Sequence, residues 1–180
     1  MKKEEYLDIV DENDKVIDRD TRKNIYRKRI DSQVRVVNVF ILNSEGKLLL
    51  PKRSMNRQIF PGCYDFSCGE HVLSGEKYYE TALRGVREEL GLEGVELIEL
   101  GKLTPRDGVS CFMKIYKVIY DAEINNYDTD GIDRLFWYSL DKVRKMIMED
   151  KKKFKDDFSI VLEKFANQLE NISSKKQNLG

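Results

Sequence analysis

The densest chemistry in the chain lies between Glu70 and Leu92. Glu76, Glu80, Arg84, Arg87, Glu88 and Glu89 crowd a segment whose apolar residues Tyr79, Ala82, Leu83, Val86 and Leu90 recur at helical spacing, and Gly91 stands where a helix-ending glycine belongs. A helix is therefore expected from Lys77 to Leu90. Residues four apart share a helix face, so Glu80, Arg84 and Glu88 should form one ridge, with Glu76 above it at the helix start. An arginine framed by carboxylates can fix their orientation, while adjacent carboxylates offer the hard oxygen ligands that Mg²⁺ takes as it keeps several waters. The competing reading is a solvated face of ion pairs, because such helices are common and exposed pairs contribute little.

The elements that must hold this helix can be read from pattern. Tyr6 to Val10 and Lys15 to Arg19 flank Asp11-Glu12-Asn13-Asp14, which predicts a hairpin over about residues 5–20. Thr21 offers an N-cap for a short helix to about Arg29, and the β-branched run from Val34 to Leu42 predicts a buried strand. Asn43-Ser44-Glu45-Gly46 supplies a turn into Lys47 to Leu50, and Pro51 is expected to end regular pairing there. From Ser54 to Ser74 the composition is loop-like and the stretch is long enough to suggest function. Val95 to Leu103, Cys111 to Tyr120 and Arg134 to Tyr138 read as strands. Ser139 can cap a helix carrying Val143 and Met146, and a last helix carries Phe158, Val161, Leu162, Phe165 and Leu169 on one stripe. The expected organisation is one domain over 1–170, with a frayed polar tail over 171–180.

Composition narrows the function classes. The 180 residues carry 32 Lys plus Arg against 32 Asp plus Glu, so no global positive field exists to attract a nucleic acid polymer. Neither a signal peptide nor a run of about 18 apolar residues is seen, which leaves a cytoplasmic protein without a membrane partner as the expectation. Cys63, Cys68 and Cys111 form no CxxC pair and read as reduced, small buried residues. Trp137, Phe60 and Tyr64 offer faces on which a nucleobase could stack, against the plainer reading of core or loop anchors.

Written out, Glu70 to Glu76, then seven residues, then Arg84-Gly85-Val86-Arg87-Glu88-Glu89-Leu90-Gly91-Leu92 resembles the Nudix box, G-x5-E-x7-R-E-U-x-E-E-x-G-U with U aliphatic. The match registers on Glu76, Arg84, Glu88, Glu89, Gly91 and Leu92. It departs twice: Glu70 stands at the first glycine, and Gly85 stands at the glutamate after the arginine. Beyond the box, Leu7 to Asp14, Leu48 to Ser54 and Pro61 to Ser67 resemble the isopentenyl-diphosphate isomerase-like branch of that family. The resemblance covers roughly residues 5–165 and implies an α/β fold, a Nudix α/β/α sandwich with a mixed sheet and an N-terminal β-hairpin.

The resemblance further implies a hydrolase that cleaves a diphosphate linkage in a small metabolite or nucleotide, with Mg²⁺ or Mn²⁺ as cofactor. Glu88 and Glu89 would ligate the metal, a backbone carbonyl near Gly69 or Glu70 would complete the shell, and Arg84 and Glu76 would orient the carboxylates. Bound metal would offset the phosphate charge that repels an attacking hydroxide. Arg53 and Arg57 would grip the diphosphate with their guanidinium forks, and His71 would touch substrate or cap the loop. A homodimer is a further expectation, since dimers are common among similar proteins.

Gly85 puts part of this in doubt, because the glutamate at that place binds metal or acts as general base in several Nudix hydrolases. Asp107, Asp128 and Asp130 are the candidate carboxylates outside the helix to replace it, and an impaired, ligand-binding Nudix protein is the second reading. If a missing carboxylate limits the rate, Gly85→Glu should raise turnover; in a dedicated binder it should not. Isomerase activity is the third reading. Isomerases of this type build a metal site from three histidines and use a cysteine and a glutamate for proton transfer, whereas this chain has one histidine, His71, and Cys68 falls one position before the expected cysteine, where Gly69 stands.

Overall fold

The computed structural model describes residues 4–171; the expected frayed tail falls almost wholly outside the described residues. Two strands, β1 (Tyr6–Val10) and β2 (Val16–Thr21), pair antiparallel as the expected hairpin. Helix α1 (Arg22–Lys28) follows at once, because the Thr21 side chain accepts a hydrogen bond from Asn24 N and caps it. The main sheet contains β3 (Arg35–Leu42), β4 (Lys47–Arg53), β5 (Cys68–His71), β6 (Ile98–Leu103), β7 (Phe112–Ile119) and β8 (Ile132–Ser139). Their order is β6-β7-β3-β4-β8, with β5 paired to β3. Only β3 and β7 run parallel among these pairs, so the sheet is mixed.

Alternation along β3 sorts the core into two layers. Val37, Val39 and Ile41 face α2 (Tyr78–Leu90) through Ala82, Val86 and Leu90. Phe40 and Leu42 face the opposite layer, where α3 (Leu140–Glu149) contributes Val143 and α4 (Phe158–Glu170) contributes Phe158, Val161 and Leu162. The result is the expected sandwich. Ser139 caps α3 by accepting from Lys142 N, and Gly91 ends α2 at φ +67°, where a Cβ would come within 2.4 Å of Asn126 O.

Two expectations are corrected here. Pro51 does not end β4: it pairs with Leu135 in the middle of the β4–β8 ladder. Its carbonyl accepts from Asp65 N, so the edge of residue 51 that lacks an N–H faces the 63–66 loop and no β8 bond is lost. The loop-like stretch from Ser54 to Ser74 also contains a strand, β5, whose pairing with Val36 to Val39 of β3 is a long-range contact that composition does not announce.

One edge of β3 is thus shared, with β4 paired at Leu42 and β5 paired farther down. Ser67, fully buried, closes the fork: its Oγ accepts from Ile41 N at 2.8 Å and donates to Leu49 O at 2.7 Å. Ser67→Ala would leave a buried donor and a buried acceptor unpaired, and should lower unfolding free energy by about 2–3 kcal/mol in denaturant titration.

The hairpin is tied to the start of the box. Asp8 accepts from Ser74 Oγ at 2.6 Å and from Gly75 N at 3.2 Å, and Tyr6 O accepts from Ser74 N at 2.8 Å. Asp14, at the hairpin tip, accepts from Arg35, Lys102 and the Tyr78 hydroxyl.

Candidate active site

Helix α2 and strand β5 bring the acidic residues of the box together around one guanidinium. Arg84 grips Glu76 with two bonds, Nε to Oε1 at 2.9 Å and Nη2 to Oε2 at 3.0 Å. Its Nη1 lies 3.2 Å from Glu88 Oε2 and 3.6 Å from Glu70 Oε2, and Nη2 donates to His71 O at 3.0 Å. Burial opposes the Arg84 charge, but the Glu76 bonds and the Glu70 carboxylate outweigh it and hold the guanidinium above its usual range. Glu76 also accepts from Leu73 N and Thr81 Oγ1, and these bonds with Arg84 overcome its burial and keep it below the usual carboxylate range. Glu80, expected on the same ridge, instead turns back to accept from Lys77 N at the start of α2.

Glu89 sits on the inner side of α2. Gly69 N donates to its Oε2 at 3.4 Å, and its backbone carbonyl accepts from Asp128 N. Burial, then the Glu70 and Asp65 carboxylates, push Glu89 up to about 8. Burial likewise raises Glu70, with Arg84 opposing it. Such oxygens, gathered where negative charge is poorly compensated, fit a hard divalent cation. Among the described residues no three acidic, histidine or cysteine side chains already stand at metal-binding spacing. Mg²⁺ is nonetheless commonly bound through one or two carboxylates and several waters, so the donor set fits it.

Several expected roles move. The Arg53 guanidinium is spent on its own loop: it bonds Asp65 Oδ2 at 2.7 Å and the carbonyls of Ile59 and Phe60. It shapes the 59–65 loop and has little left for a phosphate. Arg57 is freer, meeting Gly131 O at 3.4 Å and Asp128 Oδ2 at 3.5 Å with its side chain 39% exposed. The His71 ring packs edge-on to Tyr26, with Nε2 2.9 Å from that hydroxyl. Burial, with Arg22, Lys155 and Arg84 nearby, lowers it to about 3, so it stays neutral near pH 7. It joins α1 to β5, and only its backbone carbonyl reaches Arg84.

Of the outside carboxylates, Asp128 lies beside the end of α2, and its side chain accepts from Asp130 N. The Asp107 carboxylate accepts from Thr104 and faces Lys164 instead. Tyr64 packs among Phe136, Tyr138 and Phe154, and Trp137 packs against the α2-side core; both serve as anchors. Burial raises the thiols of Cys63, Cys68 and Cys111, the last to about 12, consistent with inert side chains. Two site residues were not anticipated. Asp65, buried, takes ion pairs from Arg53 and from Lys155, whose Nζ is 3.4 Å from Asp65 Oδ1. Lys155 follows a lysine run that reads as solvated charge, so nothing local marks it.

Gly85 is set by close packing. A Cβ there would stand 2.8 Å from Cys68 Sγ and 2.8 Å from Glu70 Cγ. The expected gain from Gly85→Glu is therefore withdrawn: no space exists for the added side chain. Even Gly85→Ala should lower the melting temperature, costing about 1–3 kcal/mol through overpacking despite alanine's better helix propensity.

A cavity of about 340 Å³ lies elsewhere, between the hairpin and the end of β6, lined in part by Val10, Ile17, Gln33, Thr104 and Phe112. It contains none of the box residues.

The comparisons with known proteins agree with the sandwich described above. The NUDIX domain family model matches residues 32–158, and the chain belongs to the Nudix family. It is 44% identical over 137 residues to an uncharacterized Nudix hydrolase of Nostoc sp., a match covering 74% of this chain and 80% of that one. A crystal structure of a Deinococcus radiodurans protein superposes with a TM-score of 0.81 at 31% identity, covering 89% of this chain and 99% of the other. Similarity to mouse isopentenyl-diphosphate Delta-isomerase 1 is 40% over 110 residues, 53% of this chain and 48% of the isomerase, in keeping with the isomerase-like branch. No helix among the described residues is long and apolar enough to cross a membrane.

Proposed function

We propose that this chain is a Mg²⁺- or Mn²⁺-dependent hydrolase of a diphosphate linkage in a small metabolite or nucleotide. The observation that carries the reading is the placing of Glu70 and Glu88 on one Arg84 nitrogen, with Arg84 itself held by Glu76 and the Glu89 carboxylate at the adjoining Gly69 amide, where Glu70 raises it. Glu88 and Glu89, with residue 70, would hold the metal, which when bound neutralises phosphate oxygens and makes a ligated water more acidic. Arg84 and Glu76 hold the carboxylates in one orientation, so that less ordering is required when substrate arrives. Arg57 and Lys155 are the cations best placed by their neighbours to meet phosphate: Arg57 contacts the loop of Asp128, whose amide binds Glu89 O, and Lys155 contacts Asp65.

Isomerase chemistry finds little support, because His71 is engaged with Tyr26 and Cys68 and Cys111 are buried thiols. The test is release of phosphate and pyrophosphate from nucleoside di- and triphosphates, dinucleotides and prenyl diphosphates with Mg²⁺. Turnover abolished by both Glu88→Gln and Glu89→Gln supports the reading. Absence of turnover across the panel, together with ligand-dependent stabilisation that needs metal, would replace the hydrolase by a binding protein.

A further inference from the structure

We infer that Glu70 and Gly85 are two halves of one exchange, in which the carboxylate absent from the helix at 85 is supplied by the Glu70 side chain from strand β5. The inference rests on the metal-site reading above. Three observations carry it. First, Glu70 occupies the volume that a side chain at 85 would need: a Cβ there would lie 2.8 Å from Glu70 Cγ and 3.4 Å from Glu70 Cβ. The Glu70 side chain as placed, with Cys68 beside it, requires a glycine at 85.

Second, the Glu70 carboxylate is delivered to the box carboxylates. Its Oε2 and Glu88 Oε2 lie 3.6 and 3.2 Å from the same Arg84 nitrogen, and the preceding residue, Gly69, donates its N–H to Glu89. Antiparallel pairing of Glu70 with Val37 of β3 fixes this placement on a strand rather than on a loop. Third, Glu70 is not consumed by structure. Among the described residues its carboxylate has the Arg84 ion pair at 3.6 Å and no closer polar partner, whereas Glu76 accepts four hydrogen bonds. Glu70 therefore acts as a side-chain ligand of the metal site, and not merely through its backbone carbonyl.

The experiment measures Mn²⁺ affinity by electron paramagnetic resonance, metal-free melting temperature, and pyrophosphate release. Glu70→Gln keeps the shape and should melt near the wild-type temperature while binding Mn²⁺ at least ~10-fold more weakly and turning over ~100-fold more slowly. Cys68→Ala with Glu70→Gly and Gly85→Glu moves the carboxylate back to the helix and removes both atoms in its way. That variant should recover Mn²⁺ affinity to within ~10-fold of Cys68→Ala alone, whereas Cys68→Ala with Glu70→Gly should not, the non-additivity expected of coupled positions. Wild-type Mn²⁺ affinity in Glu70→Gln overturns the exchange. If Glu89→Gln is weakened in the same assay, the metal site stands and only this inference fails; if Glu89→Gln is also unaffected, the metal-site reading itself is wrong. Should the rearranged variant not fold, Glu70→Gln alone decides.

Discussion

Glu89→Gln is expected to abolish turnover, by about 10²–10³-fold or more, and at the same time to make the metal-free protein more stable at pH 8. The two effects share a cause. Burial and the neighbouring Glu70 and Asp65 carboxylates disfavour charge on Glu89, raising it from the ordinary 4.5 to about 8. Between those values the folded chain holds a proton that the unfolded chain has released. A group raised on folding adds stability that is complete below the unfolded value and is lost as pH rises through the folded one. The wild-type metal-free protein should therefore weaken from about pH 4.5 to about pH 8, a window set by the Glu89 shift. Glutamine removes that dependence and, taking ~1–2 kcal/mol of relieved repulsion, should raise the melting temperature at pH 8 by ~3–8 °C. Mg²⁺ should reverse the order, because a ligand that binds only the folded state stabilises it by mass action. Scanning calorimetry at pH 5 and pH 8, with and without Mg²⁺, checks all four combinations. A variant that loses turnover without gaining metal-free stability would show that water reaches the carboxylate freely.

Arg84→Ala should be among the most damaging single substitutions in the chain. Its side chain is 17% exposed and holds Glu76 by two bonds, Glu88 and Glu70 by ion pairs, and the carbonyl of His71. Removing it leaves three carboxylates facing one another and a strand carbonyl without its donor. Breaking a buried pair on one side costs about 3–5 kcal/mol, and partial exposure reduces this to about 2–4 kcal/mol. Displaced carboxylates should also slow turnover by ~10²-fold. Lysine should restore less than half of the stability, because a point charge cannot reproduce the fork on Glu76. Denaturant melts at pH 7 and pH 4.5 separate lost charge pairing from lost packing. Repulsion among orphaned carboxylates is relieved by protonation, so the deficit should shrink at the lower pH; an equal deficit at both would assign the loss to packing.

Where the sequence spoke clearly, the signal was local. The apolar period of α2, the Gly91 cap, the Thr21 and Ser139 N-caps and the first hairpin all rest on residues a few positions apart. Long-range pairing was less visible. Cys68-Gly69-Glu70-His71 has the composition of a loop and becomes β5 only because β3 offers an edge. Pro51 looked like a terminator because nothing local shows which of its edges meets β8. The same limit applies at the site. Arg53 and His71 have side chains suited to phosphate, but loop carbonyls, Asp65 and Tyr26 claim them first. Lys155 enters from a segment far along the chain. Glu70 and Gly85, each a departure from the box when taken singly, form a complementary pair only in three dimensions.

The Asp8 and Asp14 contacts make the N-terminal hairpin a buckle on the box. The family match starts at residue 32, beyond the hairpin. A piece cut there would retain every box residue, yet Ser74, Gly75 and Tyr78 would lose acceptors that hold the approach to α2. Glu76, whose bonds to Leu73 and Arg84 order the carboxylates, would then hang from a loosened segment. The span matched by the family model is therefore shorter than the unit that keeps the box in shape.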